Sequence, residues 1–212
     1  MNRILYLHGF ASSPAGRKIS ALRELLADRD LEIVAPDLNV PSFQNLDFEA
    51  MVRLAESEAK RHDPAVIVGS SLGALVALEV SRRKARPPLV LIAPAVGFGR
   101  RWIEKLEPGD PLLFFHHAAD RELPIHRRFF EQLAALEVDR EAPDVPVVVV
   151  MGARDESVPF AYVRTVWERW ESSGRLAPGS RFLKIPEGDH GLVEHVGVIA
   201  REIAGLAGGN SA

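Results

Sequence analysis

Short aliphatic runs alternate along this chain with longer stretches in which apolar residues recur every three or four positions. The runs at 4–7, 32–35, 65–69, 89–93, 145–151 and 181–185 read as strands. Most are nearly continuous in Val, Ile and Leu, the pattern of strands covered on both faces of a parallel sheet. Between them the period changes. Residues 18–29 carry Ile19, Leu22, Leu25 and Leu26 on one helical stripe. Asp47 is placed to cap a second helix bearing Phe48, Val52, Ala55 and Ala59. Further helices are expected after Ser71, over 124–136, over 160–171 and after Leu192. This alternation predicts one α/β domain spanning 1–212, with a doubly wound, mostly parallel sheet of about six strands.

One connection breaks the rhythm. Residues 97–144 make a 48-residue link, far longer than a crossover needs. Its large apolar residues are Phe98, Trp102, Phe114, Phe115, Phe129 and Phe130. A single sheet-covering helix buries only one stripe of these. The surplus predicts a small helical lid at one end of the sheet, joined to the crossover. The tail 205–212, with Gly208-Gly209-Asn210-Ser211, is expected to fray.

Composition removes several classes of function. Of the 212 residues, 47% are hydrophobic and 26% charged, which excludes a disordered chain. Lys and Arg total 26 against 29 Asp and Glu, a net charge of −3, without the basic excess of a nucleic-acid binder. The absence of cysteine removes disulfides, zinc–thiolate sites and a thiol nucleophile. The apolar run at 4–7 is too short for a signal peptide, and no run approaches the length of a membrane span. The expectation is a soluble, cytoplasmic protein with no membrane or nucleic-acid partner; the sequence leaves its oligomeric state open.

The candidate chemistry lies at strand ends. Gly69-Ser70-Ser71-Leu72-Gly73 has the form G-x-S-x-G, with a strand run before it and a helical run after it. A sharp strand-to-helix turn of this kind lifts one serine hydroxyl clear of the sheet. The spacing selects Ser71 over Ser70. His8-Gly9-Phe10-Ala11 closes the first strand, where a loop can offer a backbone N–H to a developing oxyanion. Phe10 or Ala11 is the candidate there, and Leu72, just after the serine, is its partner. His8 itself reads as a structural histidine pinning the loop. Asp155 follows the fifth strand and Asp189-His190 follows the sixth. The order Ser71, Asp155, His190 suits a nucleophile, an acid and a base, with Asp189 as the alternative acid.

These motifs carry a resemblance. The opening Leu5-Tyr6-Leu7-His8-Gly9-Phe10-Ala11-Ser12-Ser13-Pro14 and the elbow Val68-Gly69-Ser70-Ser71-Leu72-Gly73 are similar to those of short bacterial esterases of the YqiA-like type, within the α/β-hydrolase superfamily. Residues 152–159 resemble the superfamily's acid loop. The resemblance implies an α/β-hydrolase fold, a Ser71–His190–Asp155 triad, a small-molecule ester substrate and no metal or organic cofactor. The expected activity is a carboxylesterase acting on small or medium acyl chains. A thioesterase, acyltransferase or peptidase using the same triad is the alternative, and a non-catalytic binding protein on this scaffold is another.

Other residues carry weaker signals. His116, His117 and Asp120 are close enough in sequence to share a metal, though no further ligand set is evident. His62 and His126 lie among charged residues and read as solvated. Arg82, Arg83, Lys84 and Arg86 end the helix after Ser71, where cations suit the helix dipole. Arg100-Arg101 is a candidate for meeting an anionic substrate.

Overall fold

The computed structural model describes residues 2–83, 87–116 and 119–208. Six strands form one parallel sheet: β1 (Asn2–Leu7), β2 (Leu31–Val34), β3 (Val66–Ser70), β4 (Leu89–Ile92), β7 (Val147–Gly152) and β8 (Arg181–Ile185). Their order is β2-β1-β3-β4-β7-β8, with registers such as Tyr6 beside Val68 and Ile92 beside Val150. The continuous aliphatic runs have the expected cause. Every residue of β3, β4 and β7 is buried, whereas the edge strands β2 and β8 are partly exposed.

The connections run in two directions from β1. The link from β1 to β2 carries α1 (Arg17–Leu26), and the link from β2 back past β1 to β3 carries α2 (Phe48–His62). Right-handed crossovers of opposite direction place these helices on opposite faces. Accordingly α1 packs with the last helix, α7 (Val196–Gly208), and α2 packs with α3 (Leu72–Arg83). The reversal opens a crevice beyond the carboxyl ends of β1 and β3, the place where open α/β sheets bind ligands. The link from β7 to β8 carries α6 (Phe160–Ser172), which packs on β7 and buries Val163, Val166, Trp167 and Trp170.

The long segment differs from an all-helical lid. It holds α4 (Phe98–Ile103), an antiparallel hairpin of β5 (Leu112–His116) and β6 (Arg121–Ile125), and α5 (Arg128–Ala134). The helix expected over 124–136 therefore starts later, because Pro124 and Ile125 pair with Leu113 and Leu112. Residues 112–115 read as one apolar block, yet they alternate. Leu112 is buried and Phe114 partly so, while Leu113 and Phe115 stand exposed. The buried side joins an aromatic cluster in which Phe114 packs on Trp102 (5.7 Å between centroids), Phe130 (5.0 Å) and Phe10 (5.4 Å, edge-on).

One other expectation changes. Helix α7 runs through Gly208, so the tail is ordered further than its glycines suggest, and 209–212 lie outside the described residues. Asp47 caps α2 as expected, its Oδ1 accepting from the Ala50 N–H at 2.8 Å. Its Oδ2 also accepts from Gln132 at 2.9 Å, tying α2 to the inserted α5.

Candidate functional site

Ser71 sits between β3 and α3 with φ at +53°, a left-handed conformation that a residue with a Cβ adopts only when its surroundings enforce it. The enforcement is visible at the flanking glycines. A Cβ on Gly69 would lie 2.5 Å from the Ala74 Cα, and one on Gly73 would overlap the carbonyl oxygens of Leu7 and His8. The turn is thus wedged against the end of β1. Ala11, Ala93 and Leu192, in the loops after β1, β4 and β8, also have positive φ. Four of the seven non-glycine residues with positive φ among the described residues thus lie at this end of the sheet, and the other three, Asp30, Asp63 and Asp120, are aspartates, which tolerate that conformation.

Three side chains from different loops meet there. His190 Nε2 lies 3.0 Å from Ser71 Oγ, and His190 Nδ1 lies 2.7 Å from Asp155 Oδ2. The Asp155 side chain is fully buried, whereas the His190 ring is about a third exposed. Asp155 Oδ1 accepts the backbone N–H groups of Ser157 (2.9 Å) and Val158 (2.8 Å), which fix the carboxylate before it reaches the imidazole. Gly152 allows the loops to close, since a Cβ there would collide with the Gly188 carbonyl. Asp189, the alternative acid, has a different task. Its Oδ1 accepts the Leu192 N–H at 2.7 Å and shapes the turn after His190.

The loop after β1 runs beside the serine: a Cβ on Gly9 would lie 3.2 Å from the Ser71 Cβ. Phe10 follows, its ring held by Phe43, Phe114, Phe129 and Phe130. Leu72 is the first residue of α3, where helical N–H groups have no intrahelical acceptor. His8 is buried and spans the loop. Its Nε2 accepts the Leu38 N–H at 2.9 Å, which leaves Nδ1 to donate to the Gly9 carbonyl at 2.9 Å. That is the pinning role the sequence suggested.

Two polar residues at this site have no counterpart in the sequence reading. Lys18, on the first turn of α1, donates from Nζ to Ser70 Oγ at 2.9 Å, and the buried Tyr6 hydroxyl also hydrogen-bonds Ser70. Burial pulls the Lys18 ammonium down to about 8, against the pull of Asp189 and Asp155. Burial also pushes the Tyr6 phenol well above its ordinary range. A lysine at the positive end of a helix was the available signal. A cavity of about 570 Å³ opens on Ser71 and His190, lined by Gly9, Phe10, Ser70 and Lys18 among others. Among the described residues, none of its lining comes from 97–144.

The weaker candidates lie elsewhere. His116 Nδ1 accepts the Ala119 N–H in the β5–β6 turn, and its ring packs edge-on to Phe43; His117 lies outside the described residues. His62 pairs with Glu58, and His126 with Asp110. Arg82 donates to the Glu141 carbonyl and Arg83 pairs with Glu49 and Glu79, while Lys84 and Arg86 lie outside the described residues. Arg100 meets Asp139, and Arg101 stacks over Tyr162. Among the described residues no group of three His, Asp or Glu is placed to hold a metal, and no helix is long and apolar enough to cross a membrane.

The model of an uncharacterised protein family, UPF0227, matches residues 3–172. Solved structures share the fold. A candidate hydrolase from Agrobacterium vitis S4 is 21% identical with a TM-score of 0.79, over 97% of this chain and 88% of that one. Est1E from Butyrivibrio proteoclasticus, solved with ferulic acid bound, is 16% identical with a TM-score of 0.77, over 97% and 87%. The mouse alpha/beta hydrolase domain-containing protein 10 is 19% identical with a TM-score of 0.77, over 99% and 90%. At these identities the likeness establishes an α/β-hydrolase fold.

Proposed function

The chain belongs to the uncharacterised family UPF0227, and we propose that it is a serine hydrolase that cleaves carboxylic esters of small or medium acyl chains. The observation that carries this reading is the continuous hydrogen-bond chain from Ser71 Oγ through His190 to the buried Asp155. A surface histidine and a turn aspartate need not align on the one serine held at positive φ.

The chemistry follows from the geometry. Neutral His190 accepts the Ser71 proton at Nε2 as Oγ attacks the ester carbonyl carbon. Asp155 keeps the other imidazole proton on Nδ1 and stabilises the imidazolium that forms. The carbonyl oxygen gains the negative charge, and the backbone N–H groups of Leu72 and Phe10 are its donors. Collapse of the tetrahedral intermediate breaks the bond to the alcohol, which leaves with the proton from His190. Water, deprotonated by His190, then attacks the acyl-enzyme and releases the acid and Ser71. Neither step requires a metal or organic cofactor.

The hairpin and helices of 97–144 act in this reading as a cap. They reach the site through Phe10, whose ring they hold and whose backbone flanks the serine. Est1E offers a parallel in fold, with ferulic acid bound in its structure. The test is steady-state hydrolysis of 4-nitrophenyl acetate, butyrate, octanoate and palmitate. Saturable turnover favouring the shorter esters is expected. Absence of turnover on every ester, with thioesters and amides cleaved instead, would move the activity to the alternative acyl-transfer classes.

A further inference from the structure

The Ser71 cavity carries charge of one sign. Its lining includes Lys18 and Arg17, and among the described residues it includes no Asp or Glu, in a chain whose net charge is −3. The two cations occupy the first turn of α1, which has no acidic residue there. The amino end of a helix already bears a positive potential, so Lys18 is placed against the dipole. Its ammonium has three N–H donors. One goes to Ser70 Oγ at 2.9 Å, beside the nucleophile. Among the described residues no carboxylate stands within ion-pair distance of it: Asp155 and Asp189 act on it only from further away. Asp155 is engaged with His190, Ser157 and Val158, and Asp189 with Leu192. A partly buried cation with one of three donors bonded to Ser70, facing a cavity lined without carboxylates among the described residues, suits an anionic group.

We propose that Lys18 is a specificity-determining residue that selects esters bearing a carboxylate close to the scissile bond, the carboxylate accepting from Nζ within the Ser71 cavity. This rests on the serine-hydrolase reading above, since it assigns the substrate class of the same site. Ser70 holds the ammonium in place through its hydroxyl oxygen. The groups facing Lys18 are Ser70 on β3, Tyr6 on β1, Arg17 on its own helix and His190, Asp189 and Asp155 from the loops after β8 and β7. With burial holding Lys18 near 8, the ammonium is charged at neutral pH and loses its proton in mild alkali. Selection for the anion is therefore strongest below about pH 7 and fades above about pH 9.

The test compares kcat/KM within pairs of esters of equal acyl carbon number that differ by one carboxylate. 4-Nitrophenyl hemiglutarate against 4-nitrophenyl valerate places the carboxylate on the acyl side. 3-Carboxy-4-nitrophenyl valerate against 4-nitrophenyl valerate places it on the leaving group. The wild type is expected to favour the anionic ester at least about tenfold in one pair. Lys18→Met should erase that ratio and Lys18→Arg should retain most of it. In the wild type the ratio should fall between pH 7 and 9.5, which keeps the proposal testable if the Met variant does not fold. A ratio near one in both pairs, or a ratio unchanged by Lys18→Met, would overturn it. Labelling of Ser71 by a fluorophosphonate separates the two failures. If Ser71 is labelled and the esters are cleaved without discrimination, only the role of Lys18 falls. If Ser71 is not labelled and nothing is cleaved, the hydrolase reading falls, and calorimetric binding of glutarate decides Lys18. Loss of binding in Lys18→Met supports the anion site, and equal binding in both proteins contradicts it.

Discussion

Asp155 meets His190 with one carboxylate oxygen, at 2.7 Å, and its own loop with the other. The contact joins the loops after β7 and β8 and orients the imidazole toward Ser71. Asp189 is one residue from His190 in sequence, yet it bonds the Leu192 N–H instead. Asp155→Asn should therefore preserve the fold and lower kcat by up to about 10⁴, through the wrong histidine tautomer. Asp189→Asn should cost less than about tenfold, by loosening the turn. Steady-state kinetics on one chromogenic ester rank the two, and the reverse ranking would move the acid to Asp189.

The elbow glycines make a prediction about stability. A Cβ on Gly73 would overlap backbone carbonyls of Leu7 and His8, which cannot step aside. Gly73→Ala should destabilise the protein by about 1–3 kcal/mol and abolish activity together with it. Gly205, within α7, has open space around its would-be Cβ. Gly205→Ala should instead stabilise by about 0.5–1 kcal/mol, through helix propensity. Denaturant titration of the two variants tests the contrast.

Much of this was legible in the chain itself. The aliphatic runs located β3, β4 and β7 because burial on both faces leaves no polar position to disguise them, and the shorter apolar stretches of the edge strands β2 and β8 sufficed to place those. The elbow and the two loops bearing Asp155 and His190 stood out because tight turns need glycine at fixed offsets. The hairpin was hidden. Leu112 to Phe115 are all apolar, so the alternation that marks a half-exposed strand is absent from the sequence although the structure obeys it. Lys18 gave only a faint sign, a cation at the amino end of a helix. A lone lysine gains meaning only when folding sets it beside Ser70, 52 residues away.

Asp47 links helix capping to pH. The Gln132 carboxamide, helped by the Ala50 N–H and Arg128, holds its carboxyl below the usual carboxylate range. A depressed value means the ionised form is favoured by the fold. Its contribution is present at neutral pH and fades as pH falls below the unfolded value near 3.9. Asp47→Ala should cost about 1–2 kcal/mol at pH 7. The gap from wild type should narrow below about pH 4 in denaturant titrations. A gap that stayed constant with pH would assign the cap to geometry alone.

The cap acts on the site through Phe10. Phe114 contacts Phe10 edge-on but does not line the Ser71 cavity, whereas Phe10 does. Phe114→Ala should shift preference toward longer acyl chains by freeing the Phe10 ring, and Phe10→Ala should do the same directly. The double variant should resemble Phe10→Ala rather than the sum, because the two act in series. Chain-length profiles of kcat/KM for the three variants decide it. Fully additive effects would mean that Phe114 meets the acyl chain itself.

The central claim is that Ser71 is an activated nucleophile, and active-site labelling tests it most directly. The wild type and Ser71→Ala are treated with a fluorophosphonate, digested, and read by peptide mass spectrometry. Activation by His190, 3.0 Å from Oγ, predicts a single adduct on the peptide containing Ser71. It also predicts loss of ester hydrolysis in step with labelling, and no adduct in the alanine variant. An adduct on another serine, or ester hydrolysis surviving in Ser71→Ala, would contradict the account.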